Sequence, residues 1–418
     1  VEMTKQRERA RAERLAKDIS GWSADLFGEL TAEATQFDGY DTLSESAKVI
    51  ALSDGEELAD AIATDEAGES KDGVLVVLDR TPFYAEMGGQ VADHGYITNG
   101  DAKLKVTQVK KTPKGYFVHT CELLDGTIHV GDEVTASVDT QRRMAICRNH
   151  TATHLLQKAL REVLGEHVHQ AGSYQDDKLT HFDFTHFSAV TPEELRKVED
   201  RVNEKIFEAL PVTIQNLPIE EAKKMGAMAL FGEKYGSVVR VVDAGGWSTE
   251  FCGGTHVTNT AQIGCFKILS ESSVAAGIRR IEATTAYGVL NLLDERTEQL
   301  AKTAVALKAN NLKDAPARTE ALSAERKETN KQLDILKAEM ASAKIDGLFE
   351  NAADIDGVRI VSAYLTGTGA DTLRDMVDKV RDKAPNAVTV LIGSDGSKTM
   401  MAVGVSKNAQ ARGLKAGA

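Results

Sequence analysis

The sequence has few cysteines for its length, and it has no apolar run long enough to cross a membrane. Its 418 residues include four cysteines, Cys121, Cys147, Cys252 and Cys265, a number that does not suggest a disulfide scaffold. No signal peptide is visible at the amino terminus. We therefore expect a cytoplasmic protein without a membrane partner, which keeps one or two thiols for a metal ion or for packing.

A strong positive charge is also lacking, because the formal net charge is −13. This balance argues against a non-specific nucleic-acid binder but not against a specific one, since partners sense local patches. Basic residues do cluster locally, although a solvated surface explains them equally well: Lys103, Lys105, Lys110, Lys111 and Lys114, then Arg142, Arg143 and Arg148. Hydrophobic residues make up 42% and charged residues 27%, an ordinary globular mixture. The length indicates two to four domains.

The first half of the chain predicts helices followed by a small barrel and a mixed core. Residues 1–38 are rich in charged helix formers, and we expect N-terminal helices there, the second over "SADLFGELTAEA". Residues 39–140 alternate short apolar runs with Asp-Gly, Asn-Gly and Pro-Lys-Gly turns, which predicts an antiparallel β-barrel. Residues 141–286 predict an α+β core, in which Thr191, Pro192 and Glu194 form a capping box at a strong helix start.

The second half predicts a helical hairpin and a final α/β domain, so the fold class is α+β and multidomain. Residues 287–346 are nearly all helix formers, and Pro316 breaks the run in two. Leu333, Leu336 and Met340 follow the spacing of a coiled-coil seam, which makes a homodimer plausible. Residues 347–418 alternate strand and helix patterns, and we expect this last domain to be truncated.

The stretch "RNHTATHLL" places His150 and His154 four residues apart in a helical segment. Two imidazoles at this spacing lie on one helix face and can bind one metal ion. A zinc protease helix would need a glutamate directly after the first histidine, but Thr151 occupies that position. A protease is therefore a remote alternative.

A second pair of possible ligands lies 98 residues further on, in "FCGGTHV", where Cys252 and His256 are also four residues apart. Three imidazoles and one thiolate form a ligand set that suits Zn²⁺, and two pairs from separate elements can close a tetrahedron. A closed structural zinc site is the alternative to a working one. Gly253 and Gly254 favour a working site, because they let the backbone approach a ligand closely, and we expect both at positive φ.

Other polar residues give weaker signals. Gln170 and Ser173 in "HQAGS" offer hydrogen bonds to a substrate, although each is also a common turn or cap residue. Asp183 is flanked by Phe182 and Phe184, so its side chain should point away from theirs, and no strong general base is obvious. Cys252 could act as a nucleophile, but a ligand role is favoured beside three histidines.

Several segments together resemble the editing half of the alanyl-tRNA synthetase family. The segments that carry this resemblance, in the order of that family, are "TPFYAEMGGQVADHG", "RNHTATHLLQKALREVLGEHVHQAGS", "FDFTHF", "AMALFGEKYG", "CGGTHV" and "GIRRIEATT". The resemblance implies a hydrolase that removes serine and glycine from alanine tRNA, tRNA(Ala). A synthesis pocket sized for alanine discriminates weakly against glycine and serine, so a second, hydrolytic site is needed.

The resemblance also implies the roles of individual residues. The zinc ligands would be His150, His154, Cys252 and His256. Gln170 and Thr153 fall on positions of the editing pocket and would be catalytic, and Gly88, Gly89 and Gln90 would contact the substrate. From the residues alone, we add Cys252 as a candidate catalytic residue. We also add three candidate substrate contacts, Asp183, Gly253 and Gly254. The helical hairpin and the last domain would support a homodimer.

The sequence departs from the family pattern at Met87, His181 and Ala286, and His181 weakens any claim about a basic contact there. The aminoacylation half is absent, so we do not expect this chain to activate alanine or use ATP. A glycine-rich stretch near the C-terminus is absent as well, which weakens the case for tRNA binding by the last domain. Two alternatives stay open: a free-standing trans-editing hydrolase, and a non-catalytic tRNA-binding and dimerisation segment with structural zinc.

Overall fold

The computed structural model describes residues 26–28, 30–64, 69–228, 236–394, 396 and 398–417, with the backbone alone at 338, 341 and 342. Most of the motif "AMALFGEKYG" therefore lies outside the described residues. The chain divides into two compact units, residues 1–295 and residues 296–418. Both units combine helices with β-sheets, which confirms the α+β prediction. The predicted division into five parts remains a prediction.

The first ten strands include a closed antiparallel barrel of six strands. Strands β1 to β10 are Gln36–Phe37, Ser44–Ser53, Leu58–Ala59, Ala61–Ala63, Lys71–Leu78, Arg80–Thr81, Gly95–Thr98, Ala102–Lys111, Phe117–His129 and Glu133–Val138. The barrel runs β2, β5, β9, β8, β7 and β10, and β10 pairs back onto β2 through Val134 and Ala47. Closure pairs both edges of the sheet. The predicted antiparallel barrel is confirmed.

Alternation along the strands builds the barrel core. On β8 the buried side chains include Ala102, Leu104 and Val106, and the side chains between them are exposed. This is the two-residue period of a strand with one buried face. These residues belong to one hydrophobic cluster with Val76 of β5 and Leu123 of β9.

The segment before the barrel differs from the prediction. Residues 1–25, where the first helix was predicted, lie outside the described residues. In the second predicted helix, residues 26–28 form a turn, and residues 30–34 are not helical. The Tyr116 hydroxyl donates to the carbonyls of Leu30 and Ala32, and the Thr35 hydroxyl donates to the carbonyl of Leu78. These bonds to the barrel replace helical hydrogen bonds, so tertiary contacts override helix propensity here.

The mixed core follows the barrel within the first unit. Its elements are α1 (Thr140–Leu164), β11 (Gln170–Gln175), β12 (Thr180–Thr185), α2 (Pro192–Phe207), β13 (Val212–Pro218), α3 (Ile219–Lys224), β14 (Val238–Ala244), β15 (Ser248–Phe251), a 3₁₀ turn (Thr260–Ile263), β16 (Phe266–Ala275) and β17 (Ile278–Thr285). One sheet has the order β11-β12-β17-β16 and the other β13-β14-β15. Helix α1 contacts strands of both sheets, so its residues lie where the two sheets meet. The capping box of Thr191 and Glu194 is confirmed.

The second unit contains a small mixed sheet and long helices. Helix α4 (Tyr287–Ala306) crosses the boundary between units, and it is followed by a 3₁₀ turn (Leu312–Asp314), α5 (Ala315–Glu350), β18 (Ala353–Ile355), β19 (Val358–Thr366), α6 (Ala370–Lys383), β20 (Ala387–Ser394), β21 (Thr399–Val405) and α7 (Lys407–Ala411). Strands β19 and β20 are parallel and joined by α6. Strand β18 pairs antiparallel with β19, and β21 pairs antiparallel with β20.

The predicted coiled-coil seam lies on α5, where the side chains of Leu333, Leu336 and Met340 are exposed. Exposure in a single chain is compatible with a dimer seam, and the hairpin and the dimer stay predictions. Among the residues that the structure describes, no helix combines the length and the apolar character that crossing a membrane requires.

Candidate metal centre

The two predicted ligand pairs meet at one place in the first unit. His150 and His154 project from α1, and Cys252 and His256 come from the loop after β15. One ligand atom from each of the four side chains lies within 4.8 Å of the other three. Cys252 Sγ is 3.4 Å from His150 Nε2 and 3.3 Å from His256 Nε2. The four-residue helical spacing and the strand-to-loop turn together bring these groups together.

The hydrogen bonds of Gln90 determine which nitrogen of His150 faces the cluster. Gln90 Oε1 accepts from the backbone N–H of Thr255 at 2.9 Å, which fixes the orientation of the amide. The same oxygen lies 2.8 Å from His150 Nδ1. Since this oxygen can only accept, Nδ1 carries the proton and donates it. His150 therefore presents the lone pair of Nε2 towards Cys252, as a metal ligand must.

Thr151 likewise determines which nitrogen of His256 faces the cluster. Its hydroxyl donates to the carbonyl of Cys147 at 2.8 Å, and its oxygen lies 3.1 Å from His256 Nδ1. Because the hydroxyl proton is already used, Nδ1 of His256 must be the donor in that contact. The lone pair of His256 Nε2 then faces Cys252. The residue that argues against a protease thus orients one of the ligands.

Burial keeps the three imidazoles neutral. It lowers the pKa of His150 and of His256 well below the usual 6.5, and it lowers the pKa of His154 to about 3. The positive charge of Arg240 lowers all three pKa values further. Neutral imidazole is the form that binds a metal ion, so the site is prepared for a cation without first losing protons from histidine.

The two glycines of the loop differ in role. A Cβ at Gly254 would overlap the His150 ring, whereas a Cβ at Gly253 would meet none of the described atoms within 4 Å. The prediction of positive φ at both residues is wrong, because neither belongs to the glycines with positive φ. At position 254 the chain needs the absence of a side chain beside His150, and a left-handed backbone is not required.

The glycine-rich turn of the barrel reaches the cluster through one side chain. Gly88 and Gly89 have φ values of 62° and 86°, in the region that favours glycine. A Cβ at Gly89 would lie 2.6 Å from the carbonyl oxygen of Ser173, so the turn packs closely on β11. The backbone N–H of Gln175 donates to the carbonyl of Gly89 at 2.8 Å. This seam holds Gln90 beside His150.

The structure separates the other predicted site residues from these ligand contacts. The Thr153 hydroxyl donates to the carbonyl of Asn149 at 2.8 Å, and Gln170 Nε2 donates to Ser173 Oγ at 3.1 Å. Asp183 forms a two-pronged ion pair with Arg280, at 2.6 and 2.8 Å. Alternation on β12 buries Phe182 and Phe184 and turns Asp183 to the opposite face of the sheet. The predicted roles of Thr153, Gln170 and Asp183 stay predictions.

Sequence reasoning missed a carboxyl group beside the cluster. Glu250 is 6% exposed, and its Oε2 lies 3.8 Å from His154 Nε2. Burial raises the pKa of Glu250 to about 8. The available signal was its position two residues before Cys252 at the end of an apparent strand, because residues two apart on a strand share a face.

A cavity of about 470 Å³ opens next to the cluster. Its lining includes His256, Thr255 and Cys147 from the core and Tyr40 from the segment that leads into β2. The cavity therefore lies between barrel and core within the first unit, with one candidate ligand in its wall.

Comparison with known proteins shows the family of the chain. The family model "tRNA synthetases class II (A)" matches residues 1–142. The model "Threonyl and Alanyl tRNA synthetase second additional domain" matches residues 239–282, which include Cys252 and His256. The alanine–tRNA ligase of Acetivibrio thermocellus is 45% identical over 409 residues, 98% of this chain and 46% of that protein. The chain belongs to the alanyl-tRNA synthetase family.

Other relatives match over the whole chain. The alanine–tRNA ligase of Shouchella clausii is 44% identical and that of Bacillus subtilis 43% identical, each over 416 residues. Both matches cover 100% of this chain, and they cover 47% and 46% of the respective ligases. The chain thus spans about half the length of the curated relatives it matches, and the first of the two family models coincides with the barrel and the segment before it.

Proposed function

We propose that this chain is the editing part of an alanyl-tRNA synthetase, which hydrolyses the ester of serine or glycine wrongly attached to tRNA(Ala). The observation that carries the proposal is the convergence of His150, His154, Cys252 and His256, with their orienting partners, beside a cavity. The family relationship supplies the substrate class. A site that needs to distinguish serine and glycine from alanine after synthesis is a hydrolytic second sieve.

The four side chains fit a zinc ion. Tetrahedral zinc with Zn–N bonds of about 2.0–2.1 Å and Zn–S bonds of about 2.3 Å places neighbouring ligand atoms roughly 3.3–3.6 Å apart. The two separations from Cys252 Sγ, 3.4 Å to His150 Nε2 and 3.3 Å to His256 Nε2, are about 0.2 Å shorter than the sulfur–nitrogen value in this range, and all four ligand atoms lie within 4.8 Å of one another. A bound zinc ion would supply a Lewis acid for the ester carbonyl or for a water molecule.

The protein's own residues prepare the site before any substrate arrives. Gln90 and Thr151 hold the protons of His150 and His256 on Nδ1, so that both Nε2 atoms face inward. Glu250 Oε2 lies 3.8 Å from His154 Nε2, beyond hydrogen-bond distance, so Glu250 is a buried neighbour of this histidine and not its hydrogen-bonding partner. Cys252 acts as a ligand in this scheme, since two imidazole nitrogens flank its sulfur.

The remaining predicted residues complete the proposal. Thr153 lies one residue before His154 and shapes the wall of α1 through its bond to Thr180 Oγ1 at 2.7 Å. Gln170 and Thr153 keep their predicted catalytic roles. The other residues keep their predicted substrate roles: Gly88, Gly89, Gly253, Gly254 and Asp183. The partner would be tRNA(Ala), and a homodimer would form through the seam of α5 and the last domain.

The test is the decay of the ester in seryl-tRNA(Ala) and glycyl-tRNA(Ala), with correctly charged alanyl-tRNA(Ala) as the reference. We expect the chain to accelerate the first two and to leave the third at the rate of buffer. Ester decay of all three at the rate of buffer contradicts the proposal and favours the tRNA-binding segment.

Two cysteine variants test the role of the metal, one at a candidate ligand and one as its matched control. Cys252→Ala should lose both bound zinc and hydrolysis, while Cys265→Ala, which removes an exposed thiol away from the ligand set, should keep both. Loss of zinc from Cys252→Ala with unchanged hydrolysis would make the metal structural.

A further inference from the structure

The loop that carries Cys252 and His256 is neither helix nor strand from Cys252 to Thr255. The carbonyl groups of Cys252, Gly253 and Gly254 all accept hydrogen bonds from side chains. One Nη atom of Arg240 donates to the carbonyl of Cys252 and to that of Gly254, each at 2.8 Å. The hydroxyl of Tyr40 donates to the carbonyl of Gly253 at 2.6 Å.

Arg240 and Tyr40 also hold each other. The guanidinium carbon of Arg240 lies 4.0 Å from the centre of the Tyr40 ring, within the range of a cation–π contact. The backbone of Arg240 continues the same attachment, because its carbonyl accepts from the N–H of Cys252 at 3.0 Å. Burial raises the pKa of Tyr40, so its hydroxyl stays protonated and remains a donor.

The two residues come from different parts of the first unit. Arg240 lies on β14 of the core, whereas Tyr40 precedes β2 and packs edge-on against Phe37, with ring centres 4.9 Å apart. Phe37 in turn stacks on Phe117 of the barrel strand β9 at 5.4 Å. The ligand loop is therefore fixed to the barrel through Tyr40 as well as to the core through Arg240.

We propose that Arg240 and Tyr40 are positioning residues that set the geometry of the Cys252–His256 half of the metal site. This inference rests on the metal site of the proposed function. It assigns to the segment that leads into the barrel an indirect part in metal binding, because the Tyr40 hydroxyl supplies one of the three bonds to the loop carbonyls. A charged donor to a carbonyl makes a stronger bond than a neutral one, so Arg240 should contribute more than Tyr40.

The shape of the Arg240 side chain favours metal binding at this site, whereas its charge opposes it. Its positive charge close to three imidazoles opposes the arrival of a cation, so charge alone gives no reason for an arginine here. The planar guanidinium does give a reason, because it can serve two carbonyls and an aromatic face at once, whereas an ammonium group cannot reproduce that arrangement. Arg240→Lys keeps the charge and removes the geometry.

The experiment measures zinc affinity by competition with a chelator, and the visible spectrum of the Co²⁺-substituted protein. We expect Arg240→Lys to weaken zinc binding by about 10–100-fold, the usual effect of losing a residue that orients ligands, and to change the Co²⁺ spectrum. Tyr40→Phe keeps the aromatic ring beside Arg240 and removes one hydrogen bond. We expect it to weaken zinc binding by a smaller factor than Arg240→Lys does, about 10-fold or slightly less.

Two controls match these changes away from the loop. Tyr116→Phe removes a hydroxyl that donates to the carbonyl of Ala32 at 2.6 Å, and Arg201→Lys alters a guanidinium 5.3 Å from the ring of Trp247. Both should leave zinc affinity and the Co²⁺ spectrum unchanged. Zinc affinity within twofold of wild type in Arg240→Lys and Tyr40→Phe overturns the proposal, as does an equal loss in the controls.

The proposed function can fail separately. If the two variants lose zinc affinity while the wild-type chain does not hydrolyse seryl-tRNA(Ala), the positioning role stands and the editing activity is wrong. If the wild type hydrolyses the ester and both variants bind zinc normally, the editing activity stands and the positioning role is wrong.

Discussion

Replacing Thr151 with valine tests the account of how the ligands are oriented. The change preserves the shape of the side chain and removes one hydroxyl. That hydroxyl accepts from His256 Nδ1 at 3.1 Å and from the backbone N–H of Val257 at 3.2 Å. The valine variant leaves both donors without this acceptor. Thr151 itself is only 1% exposed.

The magnitude follows from the number of donors left unpaired. Each buried donor that loses its partner costs about 1–3 kcal/mol, so the free energy of unfolding should fall by about 2–6 kcal/mol. Zinc affinity should fall by about 10–100-fold, because nothing then holds the proton of His256 on Nδ1. Urea unfolding with a chelator present measures the first quantity, and chelator competition measures the second.

Thr260→Val is the matched control. The Thr260 hydroxyl donates to the carbonyl of Lys205 and accepts from the N–H of Leu210, each at 2.8 Å, and it touches no candidate ligand. It should lower the free energy of unfolding by about 1–3 kcal/mol and leave zinc affinity unchanged. The reasoning is refuted if Thr151→Val binds zinc as tightly as wild type, or if Thr260→Val loses as much affinity.

Two further predictions concern other parts of the first unit. Gly254→Ala should abolish zinc binding, because the new Cβ would overlap the His150 ring, while Gly253→Ala should bind zinc normally; equal affinities in a zinc competition assay contradict this. Burial lowers the pKa of His119 to about 4, so the unfolded chain binds a proton more readily and stability is lost as the pH falls from about 6.5 to 4. Urea unfolding of His119→Gln at about pH 7.5 and pH 5 should show a pH effect about 2 kcal/mol smaller than wild type, and an unchanged pH effect would refute the assignment.

The parts of the fold that depend on local patterns could be predicted from the sequence. The capping box at Thr191 is fixed by three neighbouring residues, and the barrel by short strands between glycine turns. The convergence of the two ligand pairs could also be predicted, because the chemistry of zinc requires four ligands and each pair has only two.

Features that depend on contacts between distant segments could not be predicted from the sequence. The positioning roles of Gln90, Arg240 and Tyr40 exist only because the barrel turn and the loop after β15 meet beside α1. For the same reason residues 30–34, at the end of the predicted second helix, are not helical, since the carbonyls of Leu30 and Ala32 accept from the Tyr116 hydroxyl beside the barrel. The positive φ expected at Gly254 failed because a glycine can be needed for space alone.

The most direct test of the central claim is to restore activity with zinc. The chain is stripped of metal with a chelator, and the hydrolysis of seryl-tRNA(Ala) is measured as Zn²⁺ is added in steps. We expect no acceleration without metal and full activity at one zinc ion per chain, with no recovery in Cys252→Ala. Hydrolysis that is undiminished in the metal-free wild-type chain, or activity that does not return with zinc, would contradict the account.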